Sequence, residues 1–278
     1  MGMQRKGRSE RDTIGYLTEA KIQEMSKPLN QRDYEILNLL NRFTCMSSEQ
    51  IYKLVPPVAG LSSFSELSTG VDRCNKRLRM LFDNYFINKS SPRLGNGEGT
   101  SKQYCWLDKA GKYIISGELN AKIKKILPHD YLHYCAIVDT FIYLKQLNNI
   151  VPGAVRYFRN EVKQSTSLLI PDIVVALNLK NTPKVYFIEI DRGNNREAVE
   201  VKKIRNYADW KNSYVWKQEE WARLIENCPF PDMIYAVDDK MKYHNSRISR
   251  IKKATSGYNV NVAFTTFSEL HDVGYFDI

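Results

Sequence analysis

Three carboxylates in the second half of the chain have the residue types and spacing for metal chemistry. Asp172 opens one short apolar run, and Glu189 and Asp191 stand two residues apart in the next. Because side chains alternate along a β-strand, Glu189 and Asp191 should project from the same face of the sheet. Hard oxygen ligands suit Mg²⁺ or Mn²⁺, which can polarise a phosphodiester and activate water. The pattern therefore predicts a divalent metal site and catalytic residues at Asp172, Glu189 and Asp191.

The helix predicted after these carboxylates adds further polar groups. Residues spaced three or four apart share one face of a helix, and on this one they are Arg196, Glu200, Lys203 and Tyr207. We expect Lys203 to neutralise the charge that develops on a phosphate during cleavage. The same acids could instead pair with Arg192 and Lys203 as a structural ion network, and charge counting does not separate the two interpretations.

The elements that must position these residues follow from the hydrophobic pattern. Beyond Pro152, short β-branched runs alternate with helical patterns, which predicts an α/β sandwich with a mixed sheet. An amphipathic helix over residues 131–147 should precede it, with Leu132, Ile137, Phe141 and Leu144 in the core. We predict strands at 154–158, 172–177, 185–191, 233–237 and 260–264, and helices at 196–209, 219–227, 239–253 and near 268.

The formal net charge of +10 is concentrated in residues 1 to 127. Such asymmetry favours an anionic partner for the first half of the chain, either nucleic acid or an acidic membrane surface. No apolar run is long enough to span a bilayer and no signal peptide opens the chain, so we expect a cytoplasmic protein with no membrane partner. The five cysteines are widely scattered and include no Cys-x-x-Cys pair, which is typical of reduced core residues.

The first half predicts a helix-turn-helix. After a basic arm over residues 1–27, apolar residues recur at helical spacing from Asn30, and Ser47 can cap a second short helix. A third helix should start near Ser68 or Thr69, which can cap it, and end near Asn84. Its expected packing stripe and its expected basic surface lie on different faces. The stripe is Val71, Cys74, Leu78, Leu81 and Phe82, and the basic residues are Arg73, Lys76, Arg77 and Arg79.

A hairpin should follow the third helix. Strand patterns at 85–87 and 103–107 enclose a polar loop, and the basic residues Lys89, Arg93 and Lys102 should touch DNA phosphates as a wing. A basic helix face followed by a basic wing is the arrangement that major-groove reading requires. We therefore predict binding of double-stranded DNA by these residues and the basic residues of the third helix. A helix or helix pair over 107–127 should close this domain.

Two resemblances rest on these motifs. Pro171-Asp172, a spacer, and Glu189-x-Asp191 resemble the PD-(D/E)XK nuclease core. The longer string from Phe187 to Gly193, followed by Lys203 to Tyr207 and preceded by a winged helix and the helix around His133, resembles the replication-relaxation family of plasmid and mobile-element proteins. This second resemblance covers roughly residues 30 to 255. It implies a bacterial protein that initiates replication of such an element or relaxes its DNA.

Taken together, the predicted elements give the fold class α+β. A winged helix-turn-helix over residues 28–127 would be followed by an α/β domain over 128–278, whose mixed sheet resembles the nuclease core. The sequence departs from the nuclease signature where Asp191 replaces its lysine, so catalysis would need Lys203 or Lys202 to reach back from the helix. The short acidic segment expected after Gly193 is also altered.

Three functions remain open from the sequence. The first is a DNA-binding initiator that acts with replication proteins, as a monomer or a homodimer. The second is an endonuclease that uses Mg²⁺ or Mn²⁺ to nick DNA near its binding site. The third is a transcriptional regulator whose nuclease-like domain is inactive.

Overall fold

The computed structural model describes most of the chain as two compact units, Met1–Val138 and Asp139–Ile278. No helix in the described part of the chain is long and apolar enough to cross a membrane. The described residues are 17–58, 62–91, 102–119, 121–167, 169–179, 182–225, 227–272 and 275–276.

The first unit combines short helices with a three-stranded antiparallel sheet, in which β3 lies between β1 and β2. The elements are α1 (Glu19–Ser26), α2 (Gln31–Phe43), β1 (Met46–Ser47), α3 (Ser48–Leu54), α4 (Gly70–Asp83), β2 (Ile87–Ser90), β3 (Tyr104–Leu107) and α5 (Lys109–Ser116).

Two of these α-helices, α2 and α3, begin at a capping box. The side chain of Asn30 accepts a hydrogen bond from the backbone N–H of Asp33, and the Asp33 carboxylate accepts from the Asn30 N–H, so α2 starts with a capping box. Ser47 and Gln50 form the same box at α3, which confirms the predicted cap at Ser47. By contrast, Thr69 precedes α4 without a side-chain cap, so the cap predicted there is wrong.

Three further expectations for the first unit need correction. The segment expected to be a loose basic arm contains α1, and Ile22 of this helix is fully buried; residues 1–16 lie outside the described residues. The helix predicted over 107–127 ends at Ser116, because Gly117 adopts a left-handed conformation with φ of 72°. In α4, Val71 is exposed and Gly70 takes its place against the core.

The second unit is a five-stranded mixed sheet with helices, so the fold class is α+β. Helix α6 (Tyr131–Ile150) begins before this unit and continues into it. The strands are ordered β4-β5-β6-β7-β8; β4, β5 and β6 are antiparallel, and β6, β7 and β8 are parallel. The elements after α6 are β4 (Val155–Asn160), β5 (Ile173–Leu179), β6 (Thr182–Asp191), α7 (Glu197–Ser213), β7 (Asp232–Val237), α8 (His244–Thr255), β8 (Val262–Thr266) and α9 (Phe267–Leu270).

All five predicted strands are confirmed with small shifts of their ends, and the expected helix over 219–227 is wrong. Two short 3₁₀ turns, Val215–Gln218 and Trp221–Arg223, occupy this part of the chain. The rings of Trp216 and Trp221 stack at 5.8 Å inside the core, a tertiary contact that local helix propensity does not encode. Leu132 of α6, an expected core residue, is 38% exposed.

Candidate functional site

The carboxylates of the second unit lie on one face of the sheet. Phe187 on β6 pairs with Val174 on β5, and both side chains belong to the core beneath α7. Because alternate residues share a face, Glu189 and Asp191 project to that same side. Asp172 immediately precedes β5, next to the carboxyl end of β6, and its Oδ2 accepts a hydrogen bond of 2.7 Å from the backbone N–H of Ile190. The three acids therefore lie on neighbouring strands at one edge of the sheet.

Helix α7 brings a lysine and a tyrosine to Glu189. The ammonium of Lys203 donates to Oε2 of Glu189, and the hydroxyl of Tyr207 donates to Oε1 of the same carboxylate. Nζ of Lys203 also lies 3.7 Å from Oδ1 of Asp172. Lys203 and Tyr207 are four residues apart, one helical turn, which is why both reach one carboxylate. The structure thus joins Asp172, Glu189 and Lys203 in one cluster, and Lys202 is exposed.

Burial and charge shift the protonation of this cluster. Burial raises the pKa of Glu189, the Lys203 ammonium offsets part of that shift, and the Asp172 carboxylate adds to it. Burial works against a charged Lys203, but the charges of Glu189 and Asp172 outweigh it, so the pKa of Lys203 is raised. The raised pKa favours the charged form of Lys203, which its expected role in neutralising charge requires.

Asp191 belongs to a different cluster. Its Oδ2 accepts from the Tyr235 hydroxyl at 2.7 Å and from Nε of Arg247, and its Oδ1 accepts from the backbone N–H of Gly193 at 2.7 Å. Within the described ranges, no three His, Cys, Asp or Glu side chains are grouped so as to hold a metal ion. The predicted three-carboxylate site is therefore corrected. Asp191 is paired with Arg247, and only Asp172 and Glu189 share Lys203.

Two residues of this second cluster, Tyr235 and Arg247, were not predicted from the sequence. Tyr235 lies on β7 and Arg247 in the first turns of α8, at the fourth helical residue. Arg247 is buried at the same helical spacing as Ile251 and Thr255, and this spacing was the available signal. Glu200 is buried one turn before Lys203 and accepts a hydrogen bond of 2.9 Å from the Asn195 side chain. Buried polar side chains therefore lie together at the carboxyl end of β6.

The basic residues predicted to bind DNA divide into two groups on α4. Arg73, Lys76 and Arg79 are exposed, whereas Cys74, Leu78 and Leu81 are buried on the other side of the helix. Arg77 differs, because its guanidinium forms a two-point ion pair with the fully buried Asp33. Its Nη2 also donates to the carbonyl oxygen of Pro28 at 3.1 Å. Arg77 is thus engaged in holding α4 against α2.

The hairpin after α4 carries the remaining basic residues. Lys89 on β2 is partly buried with Nζ 5.0 Å from the Phe82 ring, and burial lowers its pKa. Lys102 is exposed and lies 3.4 Å from Glu49 in an ion pair. Arg93, predicted at the tip of the wing, lies outside the described residues.

Helices packed on a small antiparallel sheet, followed by a mixed sheet with paired carboxylates, define a two-part α+β protein with an ionisable site in its second part. The family model described as Replication-relaxation matches residues 37–222, more than half of the chain. The chain belongs to this family, as its motifs led us to expect.

Comparison with solved structures found restriction endonuclease FokI, both free and bound to DNA. Sequence identity is 13% to the free enzyme and 14% to the DNA complex, and the TM-score is 0.30 for both. The match covers 93% of this chain and 44% and 45% of those chains, so this chain spans less than half of their length. A search among curated proteins gave no match.

Proposed function

We propose that the protein binds double-stranded DNA through its first unit and acts in replication or relaxation of a plasmid or other mobile element in the bacterial cytoplasm. The observation that carries this proposal is the basic side of α4, where Arg73, Lys76 and Arg79 are exposed opposite the buried residues. A helix of this kind can enter the major groove, with guanidinium groups for guanine edges and cations for phosphates. Family membership supplies the DNA-replication context.

The wing adds to this proposal. Lys102, just before β3, carries an exposed ammonium, and a hairpin beside a reading helix commonly contacts the phosphate backbone. The proposal includes binding as a homodimer to repeated half-sites and recruitment of replication proteins. Light scattering of the protein with duplexes that carry one or two half-sites would measure the number of bound copies.

Fluorescence anisotropy with a duplex from the origin of its own replicon tests the DNA interface. Replacing both Arg73 and Lys76 by Ala should lower affinity and reduce the slope of log affinity against log salt by about 0.9 for each phosphate that is no longer neutralised. Lys252→Ala with Lys253→Ala removes two exposed charges at the end of α8 and is the matched control. Equal affinity and slope in the two double variants would show that α4 does not read the DNA.

The second candidate function is metal-dependent nicking of DNA, which the buried charges favour. Four buried carboxylates, Asp172, Glu189, Asp191 and Glu200, face two cations, Lys203 and Arg247. An excess of buried carboxyl groups over cations is costly unless a bound cation or a proton compensates it, and the raised pKa of Glu189 reflects this cost. Mg²⁺ commonly uses only one or two carboxylates and takes its other ligands from water and substrate phosphates. The residues present therefore fit a divalent ion at the pair Asp172 and Glu189.

In this candidate function, the pair would bind the metal ion and the residues around it would have other tasks. Asp172 and Glu189 would hold the Mg²⁺ or Mn²⁺ ion, which when bound polarises a phosphodiester and lowers the pKa of water. Tyr207 fixes Oε1 of Glu189 and thereby orients the carboxylate. Lys203 remains charged and stabilises negative charge on the phosphate oxygens. Asp191, held by Arg247, supports the edge of the strand rather than the ion.

Incubation with supercoiled plasmid and Mg²⁺ or Mn²⁺ tests nicking. Asp172→Asn and Glu189→Gln should abolish it, and Lys203→Ala should lower its rate by a factor of about 10² or more, as expected when one charge-stabilising group is removed. Lys202→Ala changes the neighbouring exposed lysine and should leave the rate unchanged. Intact duplex binding without nicking in either metal would reject the enzyme and leave the acids as a structural ion network.

A further inference from the structure

Two loops meet at the carboxyl edge of the parallel strands, one of residues 192–196 after β6 and one of residues 238–243 after β7. The backbone N–H of Asp238 donates to the carbonyl oxygen of Asp191 at 2.9 Å, and Nη2 of Arg192 lies 2.9 Å from Oδ2 of Asp238. A β-carbon at Gly193, whose φ is 75°, would lie 2.3 Å from Cε of Met241. The loops are therefore in direct contact and form one surface.

This surface presents cations and an exposed aromatic ring. Tyr243 is 64% exposed, and Nζ of Lys242 lies 5.2 Å from its ring centroid. Lys240 and Arg196 are also exposed. We call these four residues, Arg196, Lys240, Lys242 and Tyr243, the edge platform.

The neighbouring acids are engaged elsewhere, and the two loops are tied together. Asp238 pairs with Arg192 and Glu197 pairs with Arg250, whereas Asp239 accepts a hydrogen bond from the Ser268 hydroxyl and keeps its negative charge beside Lys240. Arg247 contacts both loops of the platform. Its Nη2 donates to the carbonyl oxygen of Asn195 at 2.9 Å, and its backbone N–H donates to the carbonyl oxygen of Tyr243 at 3.0 Å. The three exposed cations of the platform outnumber Asp239, so the net charge of this surface is positive.

We propose that the edge platform binds single-stranded DNA, with the Tyr243 ring stacked on a base and the three cations against the backbone phosphates. Exposed aromatic rings beside cations suit single strands, since every base offers a face for stacking and an unpaired strand can turn its bases outward. Binding here would hold an unpaired strand at the sheet edge where Asp172 also lies. This inference goes beyond duplex binding by the first unit, and it does not require that the carboxylates cut DNA.

Tyr214 provides a control within the same unit. It is 66% exposed, and Nζ of Lys217 lies 5.4 Å from its ring, so its chemistry closely matches that of Tyr243. It follows the far end of α7, a helix of 17 residues, which at 1.5 Å per residue places it about 25 Å along the helix from Arg196. Location distinguishes the two tyrosines.

The experiment measures anisotropy of a labelled oligothymidylate with the full-length protein. This homopolymer forms no duplex, so base-pair reading by α4 does not contribute. Tyr243→Ala should weaken binding by a factor of at least about 5, and Tyr243→Trp should preserve it because the stacking surface remains. Lys240→Ala with Lys242→Ala should reduce the salt slope by about 0.7 for each phosphate that the platform no longer neutralises. Tyr214→Ala should bind as the wild type does.

The same series repeated with Arg73→Ala and Lys76→Ala present removes any contribution of α4 to the signal. Retention of the Tyr243 effect in that background supports the platform, whether or not duplex binding persists. The proposal would be overturned if Arg73→Ala with Lys76→Ala abolished oligothymidylate binding and Tyr243→Ala had no effect, whether it was made in the wild-type protein or in that double variant. Equal losses from Tyr214→Ala and Tyr243→Ala would also overturn it, because the effect would then not be local.

Discussion

Nη2 of Arg247, on α8, lies 3.2 Å from Oδ1 of Asp191, at the end of the central strand β6, and both side chains are buried. Asp191 stands at the position where the nuclease signature has a lysine. In this chain, the guanidinium of Arg247 contacts the carboxylate of Asp191. The second unit thus uses this position for a buried ion pair between a strand and a helix.

Arg247→Ala should destabilise the second unit by about 3 to 5 kcal/mol, because it leaves the buried Asp191 carboxylate without its cation. Urea unfolding followed by tryptophan fluorescence would measure the change. Arg250→Ala, three residues on in the same helix, breaks an ion pair with Glu197 at the surface and should have little effect. Comparable losses in the two variants would contradict the assignment of the buried pair.

Arg77→Ala should lower the stability of the first unit by about 3 kcal/mol, since Asp33 is fully buried and would lose its cation. Arg73→Ala, one turn earlier on the exposed side of α4, should change stability by no more than about 0.5 kcal/mol and should weaken DNA binding. Thermal unfolding and duplex anisotropy measure the two effects. A stable Arg77→Ala protein with strongly reduced affinity would assign Arg77 to DNA instead.

Gly70→Ala should destabilise the start of α4 by at least about 1 to 3 kcal/mol, as overpacking does. A β-carbon there would lie 1.8 Å from the carbonyl oxygen of Phe64, a backbone atom that a side-chain rotation cannot move away. Gly257→Ala is the comparison, because nothing lies within 4 Å of a β-carbon at that position. Differential scanning calorimetry should show a lower melting temperature for Gly70→Ala alone, and equal melting temperatures would refute the close approach.

The stability of the second unit should fall as pH drops below 6.5, partly through His271. Burial lowers the pKa of His271 from its ordinary value of 6.5, so below that pH the unfolded chain binds a proton that the folded one does not. This contribution to stability is present above pH 6.5 and disappears as pH falls through the folded-state pKa. In urea unfolding at pH 7.5 and at about pH 5.5, His271→Gln should show the smaller difference.

His129→Gln, which changes an exposed histidine, should keep the wild-type difference between the two pH values. If His271→Gln also keeps it, protonation of His271 is not coupled to unfolding. Nε2 of His271 lies 3.0 Å from Oγ1 of Thr140, and Thr140→Val should leave the sign of the pH dependence unchanged, because burial is the main cause of the shift.

The strands could be predicted closely because their signal is local. β5 and β6 are apolar, β-branched runs bounded by polar turns, and such runs carry their own secondary structure. The helix predicted over 219–227 failed because Trp216, Glu219 and Trp221 are committed to tertiary contacts. The Glu219 carboxylate, for example, accepts hydrogen bonds from the backbone N–H groups of Ser165 and Thr166.

The site could be predicted only where its partners are near in sequence. The spacing of Glu189, Lys203 and Tyr207 follows from one strand and the next helix, so the sequence alone predicts Lys203 there. Arg247 is 56 residues from Asp191, and Arg77 is 44 residues from Asp33. Nothing in the local pattern of a basic helix distinguishes an arginine that holds a buried acid from one that faces DNA.

The aromatic core gives the second unit a built-in optical reporter. Three of the four tryptophans, Trp210, Trp216 and Trp221, lie in this unit, and the ring of Trp210 is 6.5 Å from that of Tyr207. Tyr207 in turn touches Glu189. Emission from unlabelled protein should therefore respond when an ion or a nucleotide strand alters the carboxylate cluster, so a titration can follow the site without a dye or a turnover assay.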